Sequence, residues 1–203
     1  MACKVGRLVT KDSALFICDI QEKFRNMIQF FPGICEVSSR LLKAAKILDV
    51  PVVVTEQYPQ GLGNTVQEIG LANYPDIKTI TKTQFSMMVP EVVDLLSKQH
   101  SNVKSVILCG IEAHVCVQGT CLHLLERGFD VHLVVDGISS RSNVDRMFAF
   151  DRMKSAGAWL TTSEAVILGL VGDASHPHFK ACQKLIINPP PDTGLSSLFS
   201  SKI

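Results

Sequence analysis

Short apolar runs alternate with helix-type patterns along most of this chain, and this alternation limits the fold more than any other feature. Strand-length apolar runs occur at residues 14–18, 51–55, 77–81, 106–109, 131–135 and 158–161. Helical patterns occupy residues 37–48, 89–98, 115–127, 146–155 and 163–170. Strands that are apolar at nearly every position need cover on both faces. The sequence therefore predicts an α/β fold with a parallel sheet between two helical layers.

The length and composition fit one domain without a membrane or nucleic-acid partner. The chain has 203 residues, of which 46% are hydrophobic and 19% are charged, and its formal net charge is +1. We expect a single domain over residues 1–203, with a core at about 14–170 and a Pro-, Gly- and Ser-rich C-terminal arm at about 188–203. There is no basic stripe for nucleic acid, no apolar run long enough to cross a bilayer, and no clear secretory signal.

The cysteines and the C-terminal residues bear on the compartment. The seven cysteines are odd in number and include no C-x-x-C pair, which favours free thiols in a reducing compartment. We therefore expect a cytoplasmic protein. The chain ends in Ser201-Lys202-Ile203, which differs from the S-K-L peroxisomal signal only in its last residue. A peroxisomal fraction is thus left open.

Three polar or reactive residues stand where a parallel sheet places its chemistry. In open parallel sheets, functional residues gather beyond the carboxyl ends of the strands. Asp19 ends the first predicted strand, Lys82 follows the third, and Cys116 opens the helix after the fourth. The free N–H groups and the dipole of a helix N-terminus favour a thiolate and can hold an oxyanion. A carboxylate close to such a thiol can act as its general base.

Each of these residues also has an ordinary structural explanation. Cys116 fits a buried structural thiol, Asp19 fits a cap of the turn after a strand, and Lys82 fits a solvated surface residue. Position alone does not separate the two interpretations. We assign Cys18 and Cys109 to the strand core.

Several familiar motifs are missing, and we expect no cofactor. The chain has no G-x-S-x-G elbow, no H-E-x-x-H and no phosphate-binding P-loop. Gly61 and Gly63 follow the second strand without a third glycine, which argues against a Rossmann oxidoreductase. His176 and His178 have no acidic or cysteine partner at ligand spacing, so a surface turn is favoured over a metal site. His114 is a minor candidate for substrate contact.

Four blocks, taken in order, resemble the isochorismatase-like hydrolases, a superfamily that includes nicotinamidases, N-carbamoylsarcosine amidases and isochorismatases. The resemblance covers residues from about 14 to 170, and the eukaryotic isochorismatase domain-containing proteins look most similar. The blocks are Asp19-Ile20-Gln21-Glu22-Lys23-Phe24, Lys82-Thr83-Gln84-Phe85-Ser86, Gly110-Ile111-Glu112-Ala113-His114-Val115-Cys116-Val117, and Val134-Val135-Asp136 with Ser139-Ser140-Arg141.

The resemblance implies a fold and a set of site residues. It implies a six-stranded parallel sheet in the order 3-2-1-4-5-6, a doubly wound three-layer arrangement, and a tendency to form homo-oligomers. It also implies a cis peptide between Ile111 and Glu112. The implied residues are a catalytic triad of Asp19, Lys82 and Cys116 and an oxyanion hole from the Glu112 and Cys116 N–H groups. We also expect Phe24, Tyr58 and Phe85 to line the substrate pocket.

Two features narrow the expected activity. Nicotinamidases carry an Asp-x-His metal site after the second strand, whereas this chain has Glu56-Gln57-Tyr58-Pro59 there, so we expect no metal. Cys116 favours cleavage of an amide or other C–N bond in a small-molecule substrate over cleavage of a vinyl ether. The prediction is a hydrolase with a covalent cysteine intermediate. The alternative is a catalytically idle binding or regulatory protein on the same fold.

Overall fold

The structure is a computed structural model, and it describes residues 5–195. Residues 1–4 and 196–203 lie outside the described part. The terminal tripeptide Ser201-Lys202-Ile203 belongs to that excluded part, so its targeting role stays a prediction.

The core of the fold is a six-stranded parallel sheet in the order β3-β2-β1-β4-β5-β6, which confirms the predicted topology. Every residue of β1 and β4 is buried. These two neighbouring strands lie where the strand order reverses, which is where open sheets place their ligands. The strands are β1 (Ser13–Cys18), β2 (Val52–Gln57), β3 (Thr79–Lys82), β4 (Ser105–Ile111), β5 (Asp130–Ser139) and β6 (Trp159–Thr161).

Helices flank the sheet. Helix α1 packs against α6 and α7, while α4 packs against α5. Among residues 5–195, no helix combines the length and apolarity needed to span a bilayer. The helices are α1 (Phe31–Ile47), α2 (Pro59–Leu62), α3 (Pro90–Gln99), α4 (Gln118–Glu126), α5 (Asn143–Ser155), α6 (Ser163–Val171) and α7 (Phe179–Ile186).

Helix α1 begins six residues before the predicted start at residue 37. Phe30 adopts a left-handed conformation with φ of 58°, and the helix begins at the next residue. Pro32 lies in the first turn, where a missing N–H breaks no helical hydrogen bond. The predicted helical pattern lies within this helix, and its residues Val37 and Leu42 are fully buried.

Strand β4 continues through Gly110 to Ile111, two residues beyond the predicted run at 106–109. Gly110 has a φ of 120°, and a Cβ atom there would lie 2.1 Å from the carbonyl oxygen of Cys18. Only glycine allows β4 to approach β1 this closely. The strand therefore reaches Ile111, and the segment that follows starts at the switch point of the sheet.

Helix α7 was not predicted from the sequence. Its Cys182 is buried, and Phe179 and Leu185 pack against the core.

The described part of the C-terminal arm is also attached to the domain. Arg40 donates to the Asn188 carbonyl at 2.9 Å, and the buried guanidinium of Arg146 donates to the carbonyl of Thr193 at 2.6 Å.

Candidate active site

Asp19 and Lys82 form a buried ion pair at the carboxyl edge of the sheet. Asp19 follows β1, and Lys82 is the last residue of β3. Lys82 Nζ lies 2.6 Å from Asp19 Oδ2, and the two side chains are 0% and 1% exposed. Because β2 separates the two strands, the long lysine side chain bridges the strand between them. A buried pair with this geometry needs further hydrogen bonds to offset its loss of hydration.

The Asp19 carboxylate has further partners on β1 and β2. Thr55 Oγ1 donates to Asp19 Oδ1 at 2.7 Å, and Cys18 Sγ lies 3.6 Å from Asp19 Oδ2. Both carboxylate oxygens are thus occupied. Within residues 5–195, none of these hydrogen-bond partners is Cys116.

Lys82 makes a full set of contacts that hold it as an ammonium. Its Nζ donates to Gln57 Oε1 at 2.8 Å, the Phe85 carbonyl at 2.9 Å and the Gln84 carbonyl at 3.2 Å. Burial lowers the pKa of Lys82, but neighbouring Cys18, Asp19 and Cys116 outweigh burial and raise that pKa above its usual value. Lys82 therefore remains charged.

Gln57 is a site residue that the sequence interpretation missed. Its Oε1 accepts from Lys82, its Nε2 donates to the Thr83 carbonyl at 2.7 Å, and its backbone N–H donates to Gln21 Oε1 at 2.7 Å. It stands in the stretch where nicotinamidases carry metal ligands. Its position at the end of β2, between the strands that lead to Asp19 and Lys82, is the signal that could have identified it.

Cys116 lies in a π-helical turn, Ala113–Val117, that joins β4 to α4. The sequence pattern instead predicts an α-helix over residues 115–127, with Cys116 in its first turn. The turn is wider because the Glu112 carbonyl accepts from the N–H groups of both Val115 and Val117, at 3.1 and 3.2 Å. Cys116 is 7% exposed. The cysteine is close enough to Lys82 and Cys18 to raise the pKa of both.

The other described cysteines are held as neutral thiols. Burial raises the pKa of Cys35, Cys109 and Cys121 to about 12. Burial, followed by the Cys116 thiol and the Asp19 carboxylate, raises the pKa of Cys18 well above its ordinary value. Thiols with raised pKa values are poor nucleophiles near neutral pH. All six cysteines in the described part of the chain are free.

The two predicted oxyanion donors belong to the segment that carries Cys116. Glu112 follows β4 directly and precedes the π turn, and its side chain is buried. The Ile111–Glu112 peptide bond is cis. The N–H groups of Glu112 and Cys116 are thus four residues apart on one short, sharply turned segment.

Two of the three predicted pocket residues contact Lys82, and both do so through backbone atoms. The Tyr58 N–H donates to the Lys82 carbonyl at 2.8 Å, and the Phe85 carbonyl accepts from Lys82 Nζ. Both rings are exposed, by 55% and 61%. Phe24 is half-buried and packs against the core. Tyr58 and Phe85 are therefore at the rim of the site, and substrate contact by any of the three rings stays a prediction.

The acidic residue near the end of β2, Glu56, is held by a structural contact. Glu56 Oε1 accepts from the Thr65 N–H at 2.6 Å and from Thr65 Oγ1 at 2.8 Å. Across residues 5–195, no three His, Cys, Asp or Glu side chains are grouped so that they could hold a metal ion. His176 and His178 lie in a surface turn, where His176 Nδ1 accepts from the His178 N–H at 3.1 Å.

A broad surface groove lies at the opposite edge of the sheet. It encloses about 1140 Å³ and is lined by Lys11, Pro51 and Asn102, which precede β1, β2 and β4. No triad residue lines it. The groove is thus separate from the carboxyl edge, which carries the Asp19–Lys82 pair.

Comparison with known proteins identifies the family. The sequence profile of the Isochorismatase domain matches residues 13–165. The chain is 54% identical over 196 residues to "Isochorismatase domain-containing protein 2" of Xenopus laevis, covering 97% of this chain and 94% of that protein.

Solved structures agree with this relationship. A structure described as the MAR1 ribonuclease of Caenorhabditis elegans has a TM-score of 0.89 and 55% identity, covering 93% of this chain and 96% of the other. The YcaC gene product of Escherichia coli, described as an octameric hydrolase of unknown specificity, has a TM-score of 0.82 and 26% identity over 100% of both chains. The fold and these comparisons show that the chain belongs to the isochorismatase family.

Proposed function

We propose that this protein is a cysteine hydrolase that cleaves an amide or another C–N bond of a small molecule. The observation that carries the proposal is the buried Asp19–Lys82 pair beside Cys116. Burying a charged pair this deeply costs the hydration free energy of both ions, so the pair is weak evidence for a purely stabilising role. A nucleophile beside a charged acid–base group is the usual arrangement for covalent catalysis.

The first half of the reaction forms a covalent intermediate. Asp19 accepts the Cys116 proton, and the thiolate attacks the substrate carbonyl carbon to form a C–S bond. The carbonyl π electrons move to oxygen, and the N–H groups of Glu112 and Cys116 stabilise that oxyanion. Asp19 then gives the proton to the departing nitrogen as the C–N bond breaks, which leaves a thioester and a free amine.

The second half of the reaction restores the enzyme. Asp19 removes a proton from a water molecule, the resulting hydroxide attacks the thioester, and the C–S bond breaks. The carboxylic acid leaves, and Cys116 recovers its proton from Asp19. Lys82 keeps its charge throughout and lies against the Asp19 carboxylate.

This scheme requires Asp19 to come into contact with Cys116. The contact of Asp19 with Cys18 is a weak sulfur contact at 3.6 Å, much weaker than the contacts with Thr55 and Lys82. Replacing the Cys18 contact by one with Cys116 is therefore the smallest change that completes the triad. Hydrogen bonds of this kind often tighten only once substrate is bound.

The test is a hydrolysis screen over small amides, ureas and carbamoyl compounds. Cys116→Ala and Asp19→Asn should each abolish turnover, since either change removes a group that the mechanism needs. Circular dichroism should show that the Cys116→Ala protein keeps its fold. A substrate that Asp19→Asn still turns over at most of the original rate contradicts the proposed acid–base role.

The binding-protein alternative predicts a different outcome of the same screen. It expects no turnover of any compound, together with tight binding of a particular ligand by both the original protein and Cys116→Ala. Calorimetry on compounds that fail as substrates separates the two functions.

Ribonuclease activity is a second candidate because the 55% identical neighbour carries that name. The composition argues against it: the formal net charge is +1, without a clear basic stripe for the phosphate backbone. A fluorescent RNA oligonucleotide belongs in the same screen. Cleavage that Cys116→Ala abolishes would replace the amide by a phosphodiester as the substrate class.

We also propose that the protein acts as a homo-oligomer. The proposal is supported by the octameric description of the 26% identical neighbour. On this chain, Val144 and Phe148 of α5 are exposed by 61% and 62%, one helical turn apart. Light scattering during gel filtration tests this, and a mass equal to one chain contradicts it.

A further inference from the structure

We propose that Ser140 and Arg141 are positioning residues that hold the turn carrying Cys116 in its reactive geometry. Both follow β5 and lie outside the triad. The inference rests on the proposed function, because it assigns these residues a role in activating the Cys116 nucleophile. It is carried by a chain of contacts from the end of β5 to the backbone around Cys116.

Glu112 is hydrogen-bonded through its backbone to the π turn that carries Cys116. Its carbonyl oxygen accepts from the Val115 and Val117 N–H groups, which lie on either side of Cys116. A displacement of Glu112 therefore moves the backbone on both sides of the sulfur. The Glu112 N–H is also one of the two proposed oxyanion donors.

Arg141 fixes the Glu112 carboxylate. The Arg141 N–H donates to Glu112 Oε2 at 3.0 Å, and Arg141 Nε lies 3.2 Å from Oε1 and 3.3 Å from Oε2. The Glu112 side chain is 9% exposed, whereas that of Arg141 is 60% exposed. A carboxylate with so little contact with water needs charged or N–H partners. The guanidinium and the backbone amide of Arg141 supply them.

Ser140 holds the same turn at a second point. Its Oγ lies 3.1 Å from His114 Nδ1, and Ser140 is completely buried. His114 is two residues along from Glu112 and two residues before Cys116. The turn is thus attached to consecutive residues after β5 through Glu112 and His114.

The segment after β5 can serve as a fixed support because it has its own anchors. Ser139 is paired with Ile111 in the sheet, and its Oγ donates to the Gln29 carbonyl at 2.7 Å. The Gln29 N–H donates back to the Ser140 carbonyl at 3.1 Å. If the contacts with Glu112 or His114 are lost, the segment after β5 therefore stays in place, and the turn that carries Cys116 becomes free to move.

A freed turn would alter the reactivity of Cys116. The reactivity of a thiol at such a position depends on how the N–H groups around it are oriented, and that depends on the geometry of the turn. Positioning errors of about 1 Å are enough to lower a rate by up to about 100-fold. Loss of positioning should thus raise the pH at which Cys116 becomes reactive, and lower kcat more than it changes KM.

The experiment measures the rate of Cys116 alkylation by iodoacetamide as a function of pH. The test variants are Ser140→Ala and Arg141→Lys, and both keep the net charge of the protein. A shift therefore cannot come from the loss of a positive charge. Arg127→Lys is the matched control, because Arg127 is an exposed residue at the end of α4 that donates to the His123 carbonyl.

We expect the midpoint of the pH–rate profile to move upward by about 0.5–1 pH unit in each test variant, as loss of a hydrogen bond of ordinary strength would cause. The double variant should shift further, and Arg127→Lys should match the original protein. Unchanged midpoints in folded Ser140→Ala and Arg141→Lys overturn the inference. If instead Cys116 of the original protein has no profile distinct from an ordinary thiol, the proposed function itself fails.

Discussion

Lys82 has four acceptors within 3.2 Å and no exposed side-chain surface, so its charge and that of Asp19 depend on each other. Replacing Lys82 by Met leaves the Asp19 carboxylate buried without its counter-ion. We expect the free energy of unfolding to fall by about 3–5 kcal/mol in a urea titration.

The control for this change is the double variant Lys82→Met with Asp19→Asn, which removes both charges. It should recover a substantial part of the loss, because no uncompensated charge remains buried. A double variant that is destabilised by the full sum of the two single variants contradicts the view that the pair is strongly coupled.

His132 makes stability depend on pH through its burial in β5. It is 3% exposed, and its Nε2 has no hydrogen-bond partner in the described part of the chain. Burial lowers its pKa, with Asp130 opposing the shift. An unfolded histidine binds a proton near pH 6.5 while the buried one does not, so the native state loses stability as pH falls through that value.

His132→Gln should reduce this loss. Between pH 7 and pH 5, the decrease in the free energy of unfolding should become smaller by up to about 2 kcal/mol. His178→Gln is the control, because His178 is exposed and should leave the pH dependence unchanged. An unchanged slope in His132→Gln would show that His132 is not held neutral.

The element that matters most for the site is β4 with the π turn that follows it. Gly110 allows β4 to contact β1 beside Cys18 and so brings the Cys116 turn to the Asp19 side of the sheet. Gly110→Ala places a methyl group against the Cys18 carbonyl and forces an unfavourable φ. We expect a loss of at least about 3 kcal/mol in thermal or urea unfolding, since overpacking and backbone strain add.

Gly169→Ala is the matched control at element scale. Gly169 lies within α6, and a Cβ atom there would meet nothing within 4 Å. Alanine has a higher helix propensity than glycine by about 1 kcal/mol, so this variant should be neutral or more stable. Equal destabilisation by the two substitutions would show that the Gly110 effect does not come from its close contact with β1.

At the scale of the whole molecule, the sequence predicts the sheet and the positions of the triad better than the contacts between them. Strand runs and their order of appearance place Asp19 and Cys116 after strands that the sheet makes neighbours. Tertiary contacts decide the rest: Gly110 continues a strand because β1 is close, and the π turn forms because Glu112 accepts two N–H groups. Neither Gln57 nor Arg141 belongs to a local pattern that reveals its partner.

The central claim is that Cys116 is the activated nucleophile of this protein, and selective alkylation tests it most directly. The folded protein is treated with limiting iodoacetamide near neutral pH, and each cysteine-containing peptide is quantified by mass spectrometry. We predict that Cys116 is labelled first, because it interacts electrostatically with Lys82 while burial raises the pKa of the other described cysteines. Labelling of Cys3 or Cys182 ahead of an unreactive Cys116 would contradict it.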